Sequence, residues 1–150
     1  MCAIAGILDL TYSKITLKQM LDTMKRRGPD DNGVYTSSGV ALLHSRLAVI
    51  DPTGGIQPMI RKHKGVEYVI VYNGELYNSE EIRNELINKG HSFDSNSDTE
   101  VVLRAYAEWG QRALELLNGI FAFAVWNDQE RRLFLARDRI GVKPLFYKLH

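Results

Sequence analysis

Residues 120–127 read Ile-Phe-Ala-Phe-Ala-Val-Trp-Asn, a run with no polar face. In an extended chain, successive side chains point to opposite sides. Ile120, Ala122, Ala124 and Trp126 therefore share one face, and Phe121, Phe123 and Val125 share the other. A strand that is apolar on both faces belongs to a sheet covered on both faces. Residues 2–9 carry a weaker form of the same signal, with Ala3, Ala5 and Ile7 against Ile4 and Leu8. Two sheets packed together with helices outside satisfy this pattern. A Rossmann sheet does not, and no glycine-rich phosphate loop follows any of the strands.

The remaining elements fit that plan. Residues 17–26 read as a helix with Leu17, Met20, Leu21 and Met24 on one side and Thr16 as N-cap. Short strands follow over 34–36 and 40–44, and a stronger β-branched one over 66–73. The basic run from Arg61 to Lys64 reads as a solvated hairpin tip, and 51–55 as a loop. Asn78 and Glu81 have capping-box spacing and open a helix bearing Ile82, Leu86 and Ile87, which ends at Gly90. Ser97-Asp98-Thr99-Glu100 is a second capping box, leading a helix with Val102, Ala105, Tyr106 and Trp109 on one face. A short helix over 113–117, a strand over 133–137 and a last strand over 145–149 complete the reading. Short hairpin connections make much of the pairing antiparallel.

With 150 residues, 45% of them apolar, the chain can bury a core without staples. Nineteen basic and eighteen acidic residues leave a net charge of +1. That balance advertises neither a nucleic-acid nor a membrane surface. No apolar run is long enough to span a bilayer, and the N-terminus lacks a basic leader. A cytoplasmic location is the expectation. The single cysteine excludes an internal disulfide and a cysteine-based zinc cluster. His44, His63, His91 and His150 show no metal-ligand spacing, so no metal site is expected and they read as structural or exposed.

That cysteine stands at position 2. If Met1 is removed, Cys2 carries a free α-amine beside its thiol. Such an amine titrates at about 7.7–8.0 and acts as a base near neutral pH. Nucleophile and base then come from one residue; the alternative is a small buried residue in the first strand. Asn73 and Gly74 lie where the strong strand runs out. An amide and the next N–H can converge as an oxyanion hole, or the pair can be a plain turn. Arg46 can grip a carboxylate in a bidentate fork or form an ion pair at a sheet end. Asp98, at a helix start, is kept ionised by the helix dipole. It suits an ammonium partner or serves as an everyday helix-start acid. The cluster over 137–144 reads as a local ion-pair network.

Taken together, these residues resemble a known family. The blocks are Met1-Cys2-Ala3-Ile4-Ala5-Gly6, Arg27-Gly28-Pro29-Asp30, the run from His44 to Asp51, and Gln57-Pro58-Met59. They continue with the run from Tyr72 to Asn78, Ser97-Asp98-Thr99-Glu100, the run from Asn118 to Ala124, and the run from Ala136 to Leu145. Any one is weak, but eight in order are specific. The chain resembles the N-terminal class II glutamine amidotransferase (glutaminase) domain of the glutamine-hydrolysing asparagine synthetases.

The resemblance implies an N-terminal nucleophile hydrolase fold, a four-layer αββα sandwich of mostly antiparallel sheets. It implies hydrolysis of L-glutamine to L-glutamate and ammonia, with Cys2 as nucleophile and its α-amine as proton relay. By motif, Asn73 and Gly74 stabilise the oxyanion. Arg46 takes the substrate carboxylate beside the backbone of Val49 and Ile50, and Glu75 and Asp98 face the ammonium. Arg27 to Asp30 buttress the nucleophile loop. The expected partners are L-glutamine, a synthetase domain or subunit that receives the ammonia, and a second copy in a homodimer. No cofactor is expected for this domain. ATP, magnesium and aspartate belong to a synthetase domain that is absent from these 150 residues, and the last strand and helix of the glutaminase domain are expected to be missing as well. Their absence would expose a sheet edge or a strip of core. If Met1 is retained, Cys2 has an amide where its base should be, and a silent binding domain becomes the alternative.

Overall fold

The computed structural model describes residues 2–9, 11–47 and 54–149. The first sheet has the order β1-β3-β2, built from β1 (Ala3–Leu8), β2 (Asp31–Ser37) and β3 (Val40–Arg46). The second has the order β4-β5-β6-β7, from β4 (Met59–His63), β5 (Val66–Leu76), β6 (Gly119–Asn127) and β7 (Arg132–Arg137). Every pairing is antiparallel. Helix α1 (Lys14–Met24) lies outside the first sheet; α2 (Ser79–Asn88), α3 (Asp98–Trp109) and the single turn α4 (Ala113–Leu116) lie outside the second.

Three apolar clusters make the layers. Leu17 and Met24 of α1 meet Ala3, Ala41 and Leu43. Val40 and Leu42 of the first sheet meet Val69, Val71, Ala124 and Trp126 of the second. Ile70, Phe121, Phe123 and Val125 meet Ile82, Leu86, Val102 and Tyr106 of the outer helices. The alternation in β6 is the one its sequence requires, with Ala124 and Trp126 toward the other sheet and the phenylalanines toward the helices. This is the αββα sandwich, and each layer follows from a face that must be covered. Asp128 ties one end of the two sheets together: it accepts from Trp126 Nε1 at 2.9 Å and from Ser37 Oγ of β2 at 2.8 Å.

Several local expectations need correction. Helix α1 starts earlier than residue 17. Ser13, not Thr16, is its N-cap, accepting from the Thr16 N–H at 3.1 Å. Asn78 does not close a capping box. Its side chain instead accepts from the Asn118 N–H and donates to the Leu116 carbonyl, tying the end of α4 to the start of α2. Arg61 is no hairpin tip: it lies within β4, and the turn comes at Lys64 and Gly65. Residues 145–149 form no strand, and Phe146, Tyr147 and Leu149 are exposed. No helix among the described residues is long and apolar enough to cross a membrane.

Candidate active site

A cleft of about 330 Å³ opens between the two sheets at the end opposite Asp128. Cys2, Arg46, Asn73, Gly74, Glu75 and Asp98 all line it. Val49 and Ile50, also expected here, lie outside the described residues, as do 51–53 of the adjoining loop.

Cys2 reaches the cleft from the start of β1, where Ala3 pairs with Ser45 of β3. Its sulfur is bracketed by one residue: the Leu47 N–H donates to Sγ at 3.4 Å, and the thiol donates to the Leu47 carbonyl at 3.7 Å. The turn after α1 packs on the two residues just before Leu47. The Asp30 N–H donates to the Arg46 carbonyl at 3.0 Å, and Gly28 presses on the backbone of β3. A Cβ on Gly28 would stand 2.2 Å from the Ser45 carbonyl carbon. No other residue fits there, which gives the Arg-Gly-Pro-Asp turn a physical task beside the Cys2 loop.

Asn73 and Gly74 do not end the strand. Strand β5 runs on to Leu76, and they pair with Ala122 and Phe121 of β6. Asn73 falls on the same face as Val69 and Val71, so it points between the sheets. Gly74 is needed because β6 comes so close: a Cβ there would lie 2.5 Å from the Ile120 carbonyl oxygen. The turn alternative for this dipeptide is thus removed.

Arg46 is buried at the end of β3 and Glu75 is exposed at the rim. Asp98 begins α3, whose N-cap Ser97 accepts from the Thr99 N–H at 3.1 Å. The Asp98 carboxylate also reaches β5. Oδ2 accepts from the Tyr72 hydroxyl at 3.0 Å and from the Leu76 N–H at 3.1 Å. Burial pushes its pKa up, opposed by those two donors and by the free N–H groups of the helix start. The helix-dipole argument alone left that desolvation out.

Gln57, Tyr72 and Lys143 are cleft residues to which the sequence assigned no role. Gln57 accepts from the Tyr72 N–H and donates to Thr99 Oγ1, bridging β5 to α3. Lys143 is buried, carried in by the turn after β7. Backbone donors, which the reading of this turn as an ion-pair network left out, organise it. The Asp138 carboxylate accepts from the backbone N–H groups of Phe121, Val142 and Lys143, at 3.3, 2.8 and 2.9 Å. The motif blocks Gln57-Pro58-Met59 and Val142-Lys143-Pro144 were the available signals, but they carried no chemistry by themselves.

Glu100 does not close its capping box either. It is fully buried and reaches outward to Arg61 at 2.9 Å, Arg104 at 2.9 Å and Ser95 Oγ at 2.7 Å. Burial alone would raise its pKa, but these donors hold it down to about 2.

The family model for the glutamine amidotransferase domain matches residues 1–150. The chain belongs to the glutamine amidotransferase domain family. It is 52% identical to asparagine synthetase [glutamine-hydrolyzing] 3 of Bacillus subtilis, covering 98% of this chain and 25% of that one. It is 41% identical to asparagine synthetase 1 of the same organism and 37% identical to asparagine synthetase 2 of Oryza sativa, again over nearly the whole chain. This glutamine amidotransferase domain thus spans about a quarter of the length of those relatives. Its kinship with glutamine-hydrolysing asparagine synthetases, expected from eight motif blocks, holds. Among solved structures, glutamine phosphoribosylpyrophosphate amidotransferase from B. subtilis superposes with a TM-score of 0.76 at 21% identity, over 96% of this chain and 38% of that one. That likeness shows the N-terminal nucleophile hydrolase fold.

Proposed function

We propose that this domain hydrolyses L-glutamine to L-glutamate and ammonia, and that the ammonia serves an ATP-dependent amidation of the asparagine synthetase type on a synthetase domain or subunit. One observation carries the reading: the only thiol of the chain shares a cleft with an Asn-Gly pair, a buried arginine and a half-buried carboxylate.

A glutamine zwitterion needs one cation and one anion at its head, and Arg46 and Asp98 supply them, with Glu75 at the rim. Its side-chain amide then lies toward Cys2. With Met1 removed, the α-amine takes the thiol proton as sulfur attacks the carboxamide carbon. The oxyanion that forms is held by the Asn73 amide and the Gly74 N–H. The amine returns its proton to the departing nitrogen, which leaves as ammonia and gives a thioester. Water, deprotonated by the same amine, attacks the thioester and releases glutamate and the thiol. Protein groups and water suffice for these steps, so no cofactor is assigned to them. Charge develops only in the transition state, where the Asn73 and Gly74 donors act.

The test is ammonia release from glutamine by protein whose first residue is shown by mass spectrometry to be Cys2. Cys2→Ser is expected to abolish release while preserving the fold. Undiminished release by that variant would refute the nucleophile.

A further inference from the structure

Three side chains distant in sequence meet on the outer face of the second sheet. His63 closes β4, His91 follows α2, and Glu108 lies in the last turn of α3. Their ligating atoms all fall within 4.8 Å of one another. Glu108 Oε2 is 3.3 Å from His63 Nε2 and 3.2 Å from His91 Nε2. The His91 contact is a hydrogen bond. The His63 contact lacks hydrogen-bond geometry, so that buried nitrogen has no hydrogen-bond partner among the described residues. A nitrogen left in this state asks for an explanation.

From this juxtaposition we propose that His63, His91 and Glu108 bind one divalent transition-metal ion, Zn²⁺ by ligand chemistry, as a clamp between β4 and α3. Two imidazoles and a carboxylate suit zinc and its neighbours and not the oxygen-preferring magnesium or calcium. Zinc binds nitrogen and oxygen at roughly 2.0–2.2 Å, so a tetrahedral ion holds its ligand atoms about 3.3 Å apart. The two Glu108 separations already have that value. The rings stack with centroids 4.6 Å apart and planes 9° apart. Binding turns each ring about χ2 until both lone pairs aim at one point. The Lys64 ammonium, 3.6 Å from Oε2, occupies the solvent side. Its side chain is 75% exposed and free to swing out, which leaves the fourth position to water. The site stands at the far end of α3 from Asp98, roughly 15 Å away at 1.5 Å per residue. It is therefore separate from the cleft and does not depend on the proposed glutamine chemistry.

The experiment is Co²⁺ titration in a Cys2→Ser background, without a histidine tag, so that no other soft ligand contributes. One equivalent of Co²⁺ is expected to give the intense visible bands of a tetrahedral site, and Zn²⁺ is expected to displace them. Glu108→Gln and His63→Phe, the latter keeping a ring against His91, should each weaken binding by at least about 10–100-fold, the loss seen when even an outer-shell partner is removed. Metal-dependent rise of the melting temperature should vanish with them. Absence of the bands in the parent protein, or their persistence in both variants, would overturn the site. Because the parent titration is itself decisive, a variant that fails to fold does not rescue the proposal.

Discussion

The Tyr72 hydroxyl donates to Asp98 Oδ2 at 3.0 Å, and the Leu76 N–H donates to the same oxygen at 3.1 Å. Two donors from one strand thus fix the carboxylate proposed to meet the substrate ammonium. Tyr72→Phe removes one of them and pushes the Asp98 pKa further up. A hydrogen bond to a charged group contributes about 1.5–3 kcal/mol, so KM for glutamine should rise by roughly tenfold or more. Steady-state kinetics checks this; a fall in kcat with unchanged KM would contradict the positioning role.

Asn73→Ala tests the oxyanion donor. The side chain points between the sheets into the cleft, and β5 continues past it, so the backbone should survive the change. Loss of one such donor costs about 10²–10³ in turnover. That drop in kcat is expected, with circular dichroism unchanged. A change confined to KM would move Asn73 out of the role.

Arg46→Lys keeps the charge but removes the planar fork. Arg46 is buried in the cleft that Cys2 also lines. Glutamine affinity should fall while its decarboxylated analogue, already weak, loses little. Equal affinity of variant and parent for glutamine would place the carboxylate elsewhere.

His44 gives a pH prediction. It is fully buried in β3. Burial is the main reason its pKa falls from 6.5 to about 4. The unfolded chain therefore binds the extra proton first. The stability linked to His44 is complete above about pH 6.5 and is lost as pH falls from there toward 4, with a total of roughly 3 kcal/mol. Denaturant melts across that window should show the loss, and His44→Leu should flatten it. An unchanged slope in the variant would mean that another group is responsible.

The layered architecture was legible because it is written in strand faces. The β6 phenylalanines and alanines permit one arrangement, and the structure adopts it. Cys2, Arg46, Asn73, Gly74, Glu75 and Asp98 were legible through motif blocks, and they do share a cleft. What stayed hidden depended on partners remote in sequence. Ser97 and Glu100 have capping-box spacing, yet Glu100 is drawn away by Arg61 of β4 and Arg104 one turn on. Asp138 looked like one charge among several until the backbone N–H of Phe121 came within 3.3 Å of it. His63 and His91 are 28 positions apart in sequence and stack only because β4 and α2 both pack against α3. The apolar run over 145–149 had strand character, but no described strand pairs with it.

The cleft straddles the seam between the sheets. Its sulfur comes from one side, its amide donors from the other, and its carboxylate from a helix behind the second. Neither half therefore holds a diluted version of the chemistry. A chain whose sheets have parted is inert rather than sluggish, so turnover should report docking of the two halves as an all-or-none event.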